Sequence, residues 1–329
     1  MPITSVTKDP EGLTLVVVAD FPVPLHRLWD AYADPRQLEK FWGPPTWPAT
    51  FVRHDLAPGG LSKYYMTGPD GEQSGGYWEF VAVEHGRSFE VVDGFTRDDG
   101  TPDTDLPTTR AIFEFSATDV GSRLTTTTRF NSLAELEQLL EMGMEAGLTA
   151  AMGQIDAVLT DLRSFAADRA TNAQLLSDTT VRISRIVRGT PEQVWAAHHD
   201  PQLLRQWCYG PDGWELTECI TGTKPGDRHR YAYAPTSGAP DQGFALVGEL
   251  LESAPPHREV FLETMEGVDG PPTHNEQTLT PVDGGTLISL VVTYDSREQR
   301  DAILGTGMTD GMEASYARME KNVLVGGLS

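Results

Sequence analysis

Basic residues are scarce in this chain: 25 lysines and arginines stand against 48 aspartates and glutamates in 329 residues, a formal charge of −23. The acids run through both halves without long like-charge blocks. Such a field repels phosphate backbones and anionic lipid surfaces, which disfavours nucleic-acid and membrane-surface binding. Cysteine is scarcer still. Cys208 and Cys219 are the only two, too few for a disulfide framework or a thiolate zinc site. No run approaches the roughly 18 apolar residues of a membrane span. The start, Met1-Pro2-Ile3-Thr4-Ser5, lacks a basic stretch followed by an apolar one, so no secretory signal is expected and the expected location is the cytoplasm. The chain also lacks His-Glu-x-x-His, Gly-x-Ser-x-Gly and any phosphate-binding glycine loop. His198 and His199 are adjacent, so on a helix they point about 100° apart and cannot chelate one ion. They read as a solvent-facing pair, and neither a metal nor a cofactor is expected.

What the chain has is a repeat. Trp29-Asp30-Ala31-Tyr32-Ala33-Asp34-Pro35 is echoed by Trp195-Ala196-Ala197-His198-His199-Asp200-Pro201. Gly43-Pro44 returns as Gly210-Pro211, Pro58-Gly59 as Pro225-Gly226, and Gly143-Met144-x-x-Gly147 as Gly307-Met308-x-x-Gly311, in the same order and at nearly constant offset. A unit this long is a duplicated domain, because solenoid repeats run about 20–50 residues. The expected boundaries are 1–165 and 179–329, with 166–178 as an Ala-rich, polar linker.

Each repeat then reads alike. Leu13–Val18 and Val181–Val187 predict a first strand. Short helices follow from Pro24 to Tyr32 and from Pro191 to His199. The Asp34-Pro35 and Asp200-Pro201 pairs start second short helices, with aspartate as cap and proline at the first helical position; each ends at a Gly-Pro. About 80 residues of strand runs and turns predict a meandering antiparallel sheet. Leu136, Leu140, Met144, Leu148, Ala151, Ile155, Val158 and Leu162 recur at helical spacing, as do Leu304, Met308, Met312, Tyr316, Met319 and Val323. The stripe needs a partner surface, and the concave side of the sheet is the only sizeable one.

This order resembles the START-like helix-grip fold of the SRPBCC superfamily. The spacing Trp-x-x-x-x-Asp-Pro, then Gly-Pro, Pro-Gly-Gly and Gly-Met-x-x-Gly is similar to homologues of the 90-kDa heat-shock-protein ATPase activator, in both repeats. The resemblance implies an α+β fold of two tandem helix-grip domains, each a curved antiparallel sheet wrapped around a long C-terminal helix. That family usually carries tryptophan where this chain has Leu148 and Met312, and Asp227 replaces the second glycine of Pro58-Gly59-Gly60. The eukaryotic activators' chaperone-engaging N-terminal domain has no counterpart here, so a chaperone partner is not expected.

START-like proteins use the space between sheet and helix for apolar molecules. By that resemblance the cavity walls are Phe41, Trp42, Tyr64, Met66, Trp78, Met144, Leu148 and Met152 in repeat one, and Trp207, Tyr231, Tyr233, Met308, Met312 and Tyr316 in repeat two. Plain core packing accounts equally for the methionines and tyrosines, and core is the expectation for Trp29 and Trp195. Two polar sets are candidates for acid–base or ligand-orienting work: Glu263 with His274, and Asp93 with Arg110. No acid or base recurs at aligned positions except Asp34 and Asp200, which capping explains. Binding a small hydrophobic or aromatic molecule is the expected function, with repeat two, richer in aromatic and ionisable residues, as the working half. The alternatives are a cyclase, aromatase or hydratase acting on a polyketide-like substrate, and a protein-interaction or stress-related module without ligand.

Overall fold

The computed structural model describes residues 2–210, 212–237 and 243–324. Pro211 of the second Gly-Pro pair, the Leu162 side chain and residues 325–329 lie outside the described residues. The chain divides into two compact units, Met1–Arg163 and Ser164–Ser329.

The first unit runs β1 (Ile3–Asp9), β2 (Thr14–Phe21), α1 (Leu25–Ala33), α2 (Pro35–Leu38), β3 (Ala49–His54), β4 (Leu61–Thr67), β5 (Gln73–Glu84), β6 (Ser88–Thr96), β7 (Thr109–Thr118), β8 (Gly121–Arg129), α3 (Leu133–Glu141) and α4 (Met144–Thr160). Its eight strands form one antiparallel sheet in the order β1-β2-β8-β7-β6-β5-β4-β3. After α5 (Leu162–Ala167), the second unit repeats the plan: β9 (Asn172–Leu175), β10 (Thr180–Val187), α6 (Pro191–His199), α7 (Pro201–Leu204), β11 (Trp214–Ile220), β12 (Arg228–Pro235), β13 (Phe244–Ala254), β14 (Arg258–Met265), β15 (Thr273–Val282), β16 (Gly285–Thr293), α8 (Arg297–Leu304) and α9 (Met308–Met319). Its sheet order, β11-β12-β13-β14-β15-β16-β10-β9, is the same meander. These are two tandem helix-grip domains. Matching bulges between Phe80 and Ala82 on β5 and between Leu250 and Glu252 on β13 bend both sheets at the same place.

Three differences from the sequence pattern have physical causes. The apolar stripe of each repeat is carried mainly by two helices rather than one long one, with Leu162 beyond α4 and Val323 in a π-helical turn (Glu320–Leu324) beyond α9. Gly143 (φ +91°) and Gly307 (φ +81°) sit in the left-handed region, which glycine enters without a Cβ penalty, and break the helix there. Three- and four-residue spacing passes straight over a break of two residues in the first repeat and three in the second. Second, the segment read as a linker contains β9, which pairs with β10 (Val181 opposite Leu175) and belongs to the second unit. The edge strands β1 and β9 are almost wholly exposed, so they lack the alternation by which a half-buried strand is read.

Third, the two motif tryptophans diverge. Trp29 is buried at 2% exposure, edge-on to Phe115 at 5.2 Å. Trp195 is only half-buried and stacks on His199 at 4.1 Å. Nor is the histidine pair solvent-facing. His199 Nε2 lies 3.0 Å from Glu259 Oε2, and His198 Nδ1 meets the Val194 carbonyl at 2.8 Å. Burial lowers the His198 pKa; at His199 burial opposes protonation, but the Glu259 hydrogen bond and charge outweigh it and hold the pKa up.

Candidate functional site

Side chains alternate across a strand, so the ladder register decides which polar groups share a face. In the first sheet Ser62, Trp78, Asp93 and Thr109 stand opposite one another across β4, β5, β6 and β7. Arg110 is paired with Val92 instead, one residue out of step with Asp93. It therefore points to the other face, where it pairs with Glu90. The second sheet holds the same row: His229, Gly248, Glu263 and Thr273 across β12, β13, β14 and β15. His274 stands opposite Leu262, so it is exposed on the far side from Glu263. The expected pairs Asp93–Arg110 and Glu263–His274 do not form, for this one reason. In their place the rows show that Asp93 and Glu263 occupy equivalent positions, each five residues after its hairpin closes at Ser88 and Arg258. The two repeats share a concave-face acid after all.

Around Asp93 the first repeat opens a cavity of about 450 Å³. Its walls include Trp42, Tyr64, Met66, Met144 and Leu148 from the sequence-derived set, together with Asp93. Phe41, Trp78 and Met152 are each about 1% exposed and lie beneath the wall, in the packed core. Trp47, Phe95, Thr109, Leu139 and Met142 complete much of the lining and were not anticipated. Phe95 was legible in principle, two residues beyond Asp93 and so on its face. Trp47 and Met142 lie outside strands and helices, where no periodicity marks orientation.

The polar groups of this wall are few. Asp93 faces the cavity, yet protein surrounds it closely, and burial pushes its carboxyl up to about 7 while the Trp78 indole N–H pulls it down. Tyr64 is held above its ordinary value by burial and by the nearby Asp93 carboxyl. The Thr109 hydroxyl is buried without a hydrogen-bond partner. Trp42 meets Tyr64 edge-on at 6.1 Å and Trp78 at 4.6 Å. Gln154 on α4 donates to the Gly43 carbonyl at 2.7 Å, tying the last helix to the loop that carries Trp42 and Trp47.

In the second repeat the nominated aromatics are packed. Trp207, Tyr233 and Tyr316 are at most 7% exposed within one hydrophobic cluster, against which Tyr231 and Met312 pack. Met308 and Met312 rest on Val181, Ile183, Val292 and Tyr294. Glu263 stands 3.5 Å from His229. The imidazole ring fills the space over Gly248, where a Cβ would lie 2.4 Å from His229 Cε1. Burial raises the Cys208 thiol to about 11, so it stays protonated and unreactive near neutrality, and Cys208 and Cys219 are both free thiols. Among the described residues no helix is long and apolar enough to cross a membrane, and no cluster of three or more metal-ligating side chains occurs.

No curated protein matches the chain. Among solved structures, protein Ms6760 from Mycobacterium smegmatis is 49% identical over 49% of this chain and 98% of its own, with a TM-score of 0.46. A protein from Arthrobacter aurescens is 43% identical over 48% of this chain and 92% of its own, at TM-score 0.47. One from Rhodobacter sphaeroides is 32% identical over 46% of this chain and 96% of its own, at TM-score 0.43. The family described as Activator of Hsp90 ATPase homolog 1-like protein matches residues 22–160 and again 188–323. With the family pattern present in each repeat, and over most of the sequence, the chain belongs to that family twice over.

Proposed function

We propose that the chain binds a small hydrophobic or aromatic molecule in the first repeat, between the concave face of the sheet and α4. The cavity carries this reading: about 450 Å³, walled by Trp42, Tyr64, Met66, Phe95, Met144 and Leu148 with a few polar groups among them. Small-molecule sites have that size and character. The weight moves from the second repeat, favoured on composition, to the first, because aromatic content there is spent on packing Trp207, Tyr233 and Tyr316 together.

The test uses Nile red, a neutral apolar dye whose emission rises on leaving water. The native chain is expected to bind it, and Leu148→Trp, which places an indole in the cavity, is expected to weaken binding by about tenfold or more through lost volume and contacts. Leu148 is half-buried on the wall, so its circular dichroism should remain native. Undiminished dye binding in a folded Leu148→Trp chain would sink the reading. One observation favours a second reading, an enzyme of the cyclase or hydratase kind: the Asp93 carboxyl, at about 7, is suited to proton transfer at neutral pH. Turnover of a polyketide-like substrate that Asp93→Asn abolishes would select it.

A further inference from the structure

The two rows of the duplicated sheet surround their acids differently. In the second repeat the acid Glu263 has an imidazole beside it. His229 stands 3.5 Å away, and it reaches across because the residue between them is Gly248. In the first repeat the position of His229 is held by Ser62, whose hydroxyl is 2.7 Å from His54 Nδ1. Trp78 fills the place of Gly248 and walls Ser62 off from Asp93. Asp93 thus lies on the cavity with no lysine, arginine or histidine paired to it among the described residues. A carboxylate in apolar surroundings without a counter-charge is costly, and a cation brought next to it relieves that cost. Beside it are the aromatic rings of Trp42, Tyr64 and Phe95, whose faces attract cations within about 6 Å. The chain's formal charge of −23 raises the local concentration of cations.

We propose that the first repeat's cavity selects molecules carrying a basic nitrogen on an apolar or aromatic body, the nitrogen pairing with Asp93 from the cavity side. The ligand's protonated nitrogen donates to the carboxylate, the Thr109 hydroxyl lies opposite Asp93 in the ladder as a second polar contact, and the apolar body lies along Met144 and Leu148. The proposal rests on the cavity being a binding site, and the experiment separates the two.

Three probes of nearly equal size are titrated by displacement of Nile red in about 0.15 M salt, where long-range attraction is screened: 2-phenylethylamine, 2-phenylethanol and 3-phenylpropionate. The amine is expected to bind about tenfold or more tightly than the alcohol, as befits a charge-assisted hydrogen bond against a neutral one, and the carboxylate most weakly. In Asp93→Asn the amine and the alcohol should become equal, whereas Asp93→Glu should keep the order. Equal binding of amine and alcohol by the native chain would overturn the selection for a basic nitrogen and leave the cavity as a binding site. A preference that survives Asp93→Asn would overturn the assignment to Asp93. If neither the probes nor Nile red bind, both this proposal and the binding function fall together.

Discussion

Asp34→Ala is expected to destabilise the first repeat by about 3–5 kcal/mol, while Asp200→Ala costs the second only about 1 kcal/mol. The two aspartates look equivalent in sequence, each preceding a proline and each accepting from the backbone N–H two residues on, Arg36 N at 2.9 Å and Gln202 N at 2.7 Å. The difference lies in the residue after the proline. Arg36 wraps back on Asp34 with Nε to Oδ1 at 2.9 Å and Nη2 to Oδ2 at 2.7 Å. Both side chains are about 4% exposed. Truncating Asp34 therefore removes two charge-assisted hydrogen bonds from a buried guanidinium as well as the cap, and breaking a buried pair costs far more than losing an exposed cap. At Asp200 the next side chain is Gln202 and the cap is exposed, so only the capping hydrogen bond is lost. Urea titrations of the two variants, followed by circular dichroism, decide the point. Equal losses would mean that the Asp34–Arg36 pair contributes nothing beyond capping.

Asp93→Asn is expected to raise stability at pH 8 by about 1–2 kcal/mol and to leave it almost unchanged near pH 4. The Asp93 carboxyl sits at about 7 in the folded chain against 3.8 for an ordinary aspartate. Between those values the folded state holds the proton more firmly than the unfolded state, so stability falls as pH rises through that window and levels off above it. The full displacement would correspond to at most about 4 kcal/mol. The effective dielectric of a protein interior is higher than that of a dry medium, which brings the expected figure down to the lower range. The groups facing the carboxyl are the Tyr64 hydroxyl on β4 and the Trp78 indole, while Tyr77, one residue out of step on β5, feels Asp93 from the opposite face; both tyrosines are held above their ordinary values in part by Asp93. None titrates in this window, so the curve belongs to Asp93. Asparagine does not ionise, and the gap between the variant and native stability curves should open between about pH 4 and 7. A gap that is constant with pH would show that the Asp93 carboxyl is not raised.

The acid shared by the repeats shows where sequence comparison lost the thread. Ser62 and His229 stand at the same offset as Pro58-Gly59 and Pro225-Gly226. From there the strands slip out of linear alignment, because more residues separate β12 from β13 (236–243) than separate β4 from β5 (68–72). Counting along the chain sets Asp93 and Glu263 out of step, and counting across the hydrogen-bonded ladder restores them to one row. The same ladder separated Asp93 from Arg110 and Glu263 from His274, since a one-residue shift sends a side chain to the opposite face.

The sequence by itself determined the duplication, the family pattern, the two capped short helices, most of the strands and the apolar stripe that closes each repeat. Those are local: a proline after an aspartate, a glycine pair or a run of alternating residues carries its conformation within a few neighbours. Tertiary structure alone decided where the first repeat's cavity opens, which carboxylate faces it, and whether that carboxylate meets a base from its own chain. These depend on contacts between residues far apart in sequence. Trp78 against Gly248 at one sheet position decides whether a neighbouring side chain can reach the acid, and that choice becomes visible only when four strands lie side by side.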